Sequence, residues 1–487
     1  MITLQSKMPQ IVVGLLTSII LGWVSFTYTS SVSFPLLIVA CLVLSSGFIV
    51  IVQYRQFFWK GLTLQHFLLS IMLAASFLGS AFLTVSAGPV VLFPYRVFLV
   101  LLTFVLLFKW LNKSLSFKGH FHIPYIYFFF FAWICYSLLA LSWSVDFIPA
   151  IKEVITLVTG ILVIFFLTIL FKKEENYLEF FTIWIVMGLL LIGIGFINHF
   201  LQIHLPISRI NFAYSYQKGI PTSVFVNEND FASFLAITSF FFLSLMKNGK
   251  RMIFQLIGLF GFLSAVFLIL ITESRANYIG IFLGCVFWFV FLLKRQEKVV
   301  LLGAGLMIAP MVIYTQYEKF KALWGLLYVQ FESLLTAEEH HTSSVDIREN
   351  LLNNAKVFIE NTSGLGVGPG NVEYYMKNYQ HYETFHNYNV HNWWAEIFVQ
   401  YGFLVFIGYI ILFGFLFVAL FRIWKKLTDL NHSLISEALL CGMIAFIPAS
   451  ISPNSFIALN YNWIFIAFVA AYVNFHYKEL QPGGLSK

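Results

Sequence analysis

Charged side chains are scarce in this sequence. Aspartate, glutamate, lysine and arginine make up 10% of its 487 residues, whereas an ordinary soluble domain has roughly 25%. Hydrophobic residues account for 60% of the chain and aromatic residues for 19%. This composition excludes a soluble globular protein and predicts an all-α integral membrane protein, because a helix satisfies its own backbone hydrogen bonds inside lipid.

Cysteine is also scarce. All four cysteines (Cys41, Cys135, Cys285 and Cys441) lie within apolar runs. A disulfide framework or a zinc site would instead place cysteines at short spacings in polar loops. The sequence therefore predicts neither, and we expect no cofactor and no metal.

Long apolar runs are what the chain has in abundance. We find about fourteen runs of about 20 residues, the length that spans a bilayer as a helix. Allowing for one or two re-entrant segments, they predict a polytopic bundle of about 12–14 transmembrane helices. Their centres lie near Leu21, Leu42, Met72, Leu101, Phe131, Leu162, Val186, Ser239, Leu263, Phe287, Met307, Phe406, Ile444 and Phe465.

Basic residues occur in every second connecting loop. These loops contain Arg55 and Lys60, Lys109 to Lys118, Lys172 and Lys173, Lys247 to Arg251, Lys294 to Lys298, and Arg422 to Lys426. The positive-inside rule places these loops and both termini in the cytoplasm of a multi-pass cell-membrane protein. The formal net charge of +7 follows from this topology and does not indicate a nucleic-acid partner.

One long loop is predicted on the outer face. We divide the single membrane domain into N-terminal helices (1–316), a large external loop with short helices (317–391) and C-terminal helices (392–487). Within the loop, 331–341 and 345–360 have amphipathic patterns, and Ser344 is a suitable N-cap for the second helix. The following segment "GLGVGPGN" matches neither G-x-G-x-x-G nor the Walker pattern, so we reject a nucleotide cofactor. Its glycines are expected to let the backbone approach a ligand or another helix.

Four arginines are predicted to face outwards: Arg96, Arg209, Arg275 and Arg348. A guanidinium binds phosphate oxygens in a bidentate manner and stays charged, which suits a diphosphate held at the membrane surface. The alternative for each is an interfacial anchor that extends to the headgroups. Four arginines on the face opposite the positive-inside bias favour the binding role.

Three histidines follow in the loop. His381, His386 and His391 are spaced five apart, so they do not share a helical face as a zinc-binding pair would. His391 stands at the start of "HNWWAEIF". It could accept a proton from a hydroxyl, or it could be an ordinary interfacial histidine.

The remaining candidates are polar or aromatic residues near the predicted membrane surface. Asn227 caps a helix or contacts sugar hydroxyls. Glu273 pairs with Arg275 or acts as an acid or base, a role also open to Glu396. Asn392 is a candidate for substrate binding, and Trp393 either belongs to an aromatic belt or stacks on a sugar ring.

Seven segments in order resemble the O-antigen ligase and polymerase superfamily of bacterial glycan enzymes. They are "FPYRVF", "LALSWSVD", "VFVNENDFASFL", "TESRANYIGIFLG", "SSVDIREN", "GLGVGPGN" and "VHNWWAEIFVQYGFLVFI". The resemblance implies a GT-C-like fold and a glycosyltransferase that takes a glycan from undecaprenyl diphosphate, with inversion and without a metal. It further implies that Arg275 and Arg348 hold the diphosphate and that His391 activates the acceptor. Many members have glutamate nine residues after that histidine, where this chain has Gln400.

The superfamily contains polymerases and ligases, and we expect a polymerase because no acceptor-binding domain is appended. Its product would be a surface polysaccharide such as teichuronic acid or a capsule-like glycan, made on the outer face of the cell membrane. Expected partners are the lipid-linked donor and acceptor, the bilayer, a flippase and other wall-polymer enzymes. The alternatives are a ligase, a transporter of lipid-linked glycans, and a non-catalytic scaffold.

Overall fold

The computed structural model describes residues 63–82, 84–87, 90–303, 321, 325, 344–453 and 457–481. It consists almost entirely of helices. The helices before the large loop are α1 (Leu64–Leu78), α2 (Pro94–Leu111), α3 (Pro124–Ala140), α4 (Phe147–Leu170), α5 (Glu174–Leu201), α6 (Glu228–Asn248), α7 (Met252–Ile271) and α8 (Arg275–Phe287). Those that follow are α9 (Ser344–Asn361), α10 (Val372–Asn378), α11 (Trp393–Lys426), α12 (Leu430–Ala449) and α13 (Asn460–Phe475).

Shorter elements complete the described part. Strands β1 (Val85–Ala87) and β2 (Val90–Leu92) pair antiparallel just before α2. Short 3₁₀ helices cover Arg209–Phe212, Ser215–Gln217 and Tyr477–Leu480, and a π-helical turn extends α8 over Trp288–Leu292.

Within the described residues, eight helices are long and apolar enough to cross a membrane. The prediction of an all-α polytopic membrane protein is therefore confirmed. Every predicted run centre that falls among the described residues lies inside a helix. The centres near Leu21, Leu42 and Met307, and the predicted helix 331–341, lie outside the described residues.

The bundle is built around α6. In the apolar segment of this helix, 89% of the residues are buried. The helix packs against α7 and α12. Helix α13 is also buried along nearly its whole length and packs against α4. Both helices are apolar around most of their circumference, as expected of helices at the centre of a bundle.

The described part of the external loop has a small core of its own. One face of α9 contributes Leu351, Ala355 and Phe358, which pack with residues of the following segment. The same cluster includes Val399 of α11. The predicted helix at 345–360 is thus confirmed as α9, and its apolar face attaches the loop to the first turns of α11.

Candidate functional site

Arg275 and Arg348 come from different segments but lie near one another. Arg275 is the first residue of α8, and Arg348 lies near the start of α9. Burial lowers the pKa of Arg348, and the positive charge of Arg275 lowers it further. Among the described residues neither guanidinium forms an ion pair. Two neighbouring cations without a carboxylate form a site that favours a bound anion.

His391 lies in the electrostatic field of the same arginines. Burial lowers its pKa to about 4, with further contributions from the positive charges of Arg348 and Arg209. The imidazole is therefore neutral at pH 7, as a general base must be. Its Nδ1 atom is buried and has no hydrogen-bond partner among the described residues. His391 also has a left-handed backbone (φ 52°), a strained conformation that is often found at functional sites.

A buried polar network joins the segments that bear Arg275 and His391. Ser274, the N-cap of α8, donates through its hydroxyl to Oδ1 of Asn229 (2.8 Å), and Ser452 donates to the same oxygen (2.8 Å). The two hydroxyl oxygens lie 3.0 Å apart. The backbone of Ser452 in turn forms a hydrogen bond with His391. The network thus holds α6, α8 and the α12–α13 connection in a fixed relation to the histidine.

Arg209 and Asn227 lie beside this network. Arg209 donates through Nε to Glu228 (2.9 Å), and a second guanidinium nitrogen forms an ion pair with the same carboxylate. The Arg209 side chain remains 57% exposed. Asn227 is buried, and its Oδ1 accepts from the backbone NH of Asp230 (2.9 Å). Its Nδ2 donates to the Asp230 side chain (3.0 Å). Its observed role is therefore that of a helix N-cap.

The structure attaches Arg96 to the α2–α4 contact. Its guanidinium donates to the carbonyl of Val91 (3.0 Å) and to Oγ1 of Thr156 (3.3 Å), and it lies 5.0 Å from the ring centre of Phe93. These contacts occupy the side chain, and Arg96 does not contribute to the field at His391.

Two other residues predicted to bind substrate are Glu273 and Asn392. Glu273 is exposed, has a left-handed backbone (φ 55°), and forms no ion pair with Arg275. Asn392 caps α11 by accepting from the backbone NH groups of Trp394 (3.0 Å) and Ala395 (3.3 Å).

Trp393 is only 1% exposed. It packs in the core against Trp133, Tyr409 and Trp463. The structure thus gives Trp393 a packing role, and its predicted part in substrate binding stays a prediction.

The glycine-rich segment packs against a break in α11. Gly402 has a non-helical conformation (φ 78°, ψ −178°), which interrupts the helix. The carbonyls of Val399 and Gln400 accept instead from the backbone NH groups of Val367 (2.9 Å) and Gly368 (3.1 Å). Of the two alternatives for these glycines, the structure supports close approach to another helix.

Gln400 links this segment to two carboxylates. Its Oε1 accepts from the NH of Gly370 (2.7 Å), and its Nε2 donates to Glu153 (3.4 Å) and Glu396 (3.4 Å). An amide can both accept and donate, so it suits a position between an NH group and two acceptors. The resemblance left the role of this position open. In this structure Gln400 joins α4, α11 and the external loop through these hydrogen bonds.

Sequence reasoning missed Asn229, Ser274 and Ser452. The first two lie inside the quoted motifs, so a search for polar residues next to predicted arginines and caps could have found them. Ser452 has no such signal, because its role depends on tertiary contacts.

Comparison with known proteins shows what the chain is similar to. The family model for O-antigen ligase matches residues 259–410, a range that contains Arg275, Arg348, His391 and Gln400. The chain is also 35% identical over 411 residues to the teichuronic acid biosynthesis protein TuaE of Bacillus subtilis (strain 168). That alignment covers 83% of each chain. The resemblance stated above is thereby confirmed: the chain belongs to the O-antigen ligase and polymerase superfamily.

Proposed function

We propose that this chain polymerises undecaprenyl-diphosphate-linked repeat units into a surface polysaccharide at the outer face of the cell membrane. The observation that carries the proposal is the grouping of Arg275 and Arg348, free of ion pairs with described residues, beside the neutral imidazole of His391. The superfamily and the TuaE relative support a role in surface polysaccharide synthesis. Teichuronic acid is the product that the relative's name suggests.

The chemistry follows from these three side chains. His391 takes the proton of an acceptor hydroxyl, whose oxygen attacks the anomeric carbon of the donor and forms the new glycosidic bond. The bond from that carbon to the diphosphate oxygen breaks with inversion, and the carrier diphosphate leaves. Arginine hydrogen bonds to the leaving group are each worth about 1.5–3 kcal/mol. A positioned base contributes about 10²–10⁴ in rate.

The site's position in the bundle supports an outer location. Helix α6 begins at Glu228, the partner of Arg209, and ends near Lys247. Lys247 donates to the carbonyl of Leu292, at the end of α8 opposite to Arg275. Arg209 and Arg275 thus lie at one end of these two helices, and more basic residues lie at the other end: Lys247, Lys250 and Arg251 at α6, and Lys294, Arg295 and Lys298 after α8. The positive-inside rule places the lysine-rich end in the cytoplasm.

The core argues for catalysis over transport. Beneath the first turns of α11, the rings of Trp133, Trp393, Tyr401, Tyr409 and Trp463 pack edge to face or at tilted angles. A transporter of lipid-linked glycans requires a polar path at this depth. Among the described residues, the packed rings fill the space between α3, α11 and α13.

The test is product analysis in cells that lack the gene and are complemented with Arg275→Ala, Arg348→Ala or His391→Ala. We expect each variant to accumulate single repeat units on the lipid carrier and to lose long polymer. His391→Ala should slow chain extension by about 10²–10⁴. The matched controls are Arg251→Ala and His386→Ala, both of which change exposed residues away from the site. Protein level in the membrane is measured for every variant.

Other results would identify other functions. Long polymer that remains on the carrier would indicate a ligase. Repeat units trapped at the cytoplasmic face would indicate a transporter. Normal long polymer in all three variants would contradict the catalytic assignment.

A further inference from the structure

A second polar cluster lies at the opposite end of the bundle. Nε2 of His432 lies 3.3 Å from Oδ2 of Asp429 and 3.6 Å from Oε2 of Glu174. The three ligand atoms all lie within 4.8 Å of one another. They come from the start of α5, the loop after α11 and the first turn of α12.

The spacing matches that of ligands around one transition-metal ion. Zinc bonds of about 2.0–2.2 Å in a tetrahedral site place neighbouring ligand atoms about 3.3–3.5 Å apart. The two measured distances from Nε2 of His432 are close to this value. Imidazole nitrogen and carboxylate oxygen are both ligand types that Zn²⁺ accepts, and a water molecule would take the fourth position.

The surroundings of His432 prepare its Nε2 for a metal. Its Nδ1 lies 2.9 Å from the hydroxyl of Tyr472, so an Nδ1 proton can be donated there and the lone pair remains on Nε2. Oδ1 of Asp429 caps α12 by accepting from the NH of His432 (3.1 Å), which leaves Oδ2 directed to the cluster.

Two buried atoms distinguish this cluster from an ordinary ion pair. Oε1 of Glu174 and Nε2 of His476 are buried without a hydrogen-bond partner in the described part of the chain. The ring of His476 lies edge-on to His432, with centroids 4.7 Å apart. A cation bound by both oxygens of Glu174 would satisfy the unpartnered oxygen.

We propose that Glu174, Asp429 and His432 bind a divalent transition-metal ion of the Zn²⁺ type. The ion would join α5, α12 and the α11–α12 loop at the end of the bundle away from the arginines. Asp429 is exposed and provides a path from solvent. The proposal concerns a structural site and does not depend on the proposed polymerase function.

The test is titration of the full-length protein with ZnCl₂ in detergent, after removal of metal with EDTA and with an affinity tag that lacks histidine. Isothermal titration calorimetry should show one Zn²⁺ per chain, and a separate thermal unfolding measurement should show a raised midpoint with Zn²⁺. Mg²⁺ should give no response in either measurement. Glu174→Gln, Asp429→Asn and His432→Gln should each weaken binding at least about tenfold. Asp429→Asn retains the oxygen that caps α12, so it tests the ligand with little effect on folding.

Two further variants test the details. Tyr472→Phe should weaken binding about tenfold without changing the stoichiometry, since loss of an outer partner typically costs 10–100-fold in metal affinity. His386→Gln changes an exposed histidine elsewhere and should bind as wild type. The proposal is overturned if wild type binds no stoichiometric Zn²⁺, or if the three ligand variants bind it as tightly as wild type. Either result would leave His432 beside its two carboxylates without a metal ion.

Discussion

The imidazole of His391 lies in the field of Arg348 and Arg209, and that field changes when an anionic substrate binds. In the free protein, burial and these two charges lower the histidine pKa from 6.5 to about 4. A bound diphosphate would offset the arginine charges and raise the pKa, while the effect of burial would remain.

This difference predicts two separate pH profiles for polymerisation by the purified protein. Activity requires the neutral imidazole, so it is lost as pH falls through the histidine pKa. The acid limb of kcat/KM, which reports the free enzyme, should lie near pH 4, below the ordinary histidine value. The acid limb of kcat, which reports the complex, should lie at higher pH.

Initial rates over a range of pH and lipid-linked substrate concentration would measure both limbs. His386→Ala should leave both limbs in place, because His386 is exposed and takes no proton in the proposed mechanism. An acid limb of kcat at the same pH as that of kcat/KM would contradict the electrostatic argument. A normal rate and profile for His391→Ala would exclude His391 as the base.

At the scale of the element, α11 depends on the break at Gly402. The φ of 78° and ψ of −178° lie in a region open almost only to glycine, where another residue costs about 1–3 kcal/mol. A Cβ at this position would also lie 2.4 Å from the carbonyl oxygen of Gly364. Both effects act on the contact that holds the external loop against α11.

We therefore predict that Gly402→Ala destabilises the protein by at least about 1–3 kcal/mol and lowers its activity. The control is Gly414→Ala in the same helix, where an added Cβ meets nothing within 4 Å. Thermal unfolding in detergent, followed by intrinsic tryptophan fluorescence, should show a lower midpoint for Gly402→Ala alone. Equal midpoints for the two variants would mean that α11 tolerates a continuous helix at this point.

Elements with a strong local pattern were predictable from the sequence. Helix α9 was expected over 345–360 and is found at Ser344–Asn361, because its amphipathic period and its cap are both local signals. The short hairpin of β1 and β2 was not predicted, since two strands of three residues carry little periodicity. The break at Gly402 was also missed, because the sequence of an apolar run does not show whether a glycine in it lies in a regular helix or at a break.

The site was predictable in part for the same reason. Arginine and histidine are conspicuous in an apolar chain, so Arg275, Arg348 and His391 could be selected by residue type. Their convergence could not be predicted, because it depends on how α8, α9 and α11 pack. Trp393 shows the opposite case: its position beside the histidine suggested a sugar contact, but packing placed its ring in the core.

For the whole molecule, the separation of charge along the bundle predicts its orientation. The loop before α6 carries Arg209 and lies at the end that holds Arg275 and His391. The loops at the other end carry more basic residues, including Lys113 and Lys118 before α3, Lys172 and Lys173 before α5, and Lys250 and Arg251 before α7. Lysine and arginine near helix ends favour the cytoplasmic side. The arginine end should therefore face outwards, where a flipped lipid-linked glycan is available.

Cysteine labelling tests this orientation with two nearly isosteric substitutions, Ser215→Cys and Ser116→Cys, in a chain whose four native cysteines are replaced by alanine. Both serines are exposed, the first at the arginine end and the second in the α2–α3 loop. A membrane-impermeant maleimide added to intact protoplasts should label Ser215→Cys at once. It should label Ser116→Cys only after permeabilisation. The reverse pattern would place the arginines and His391 in the cytoplasm, where a flipped donor is absent, and would contradict polymerisation at the outer face.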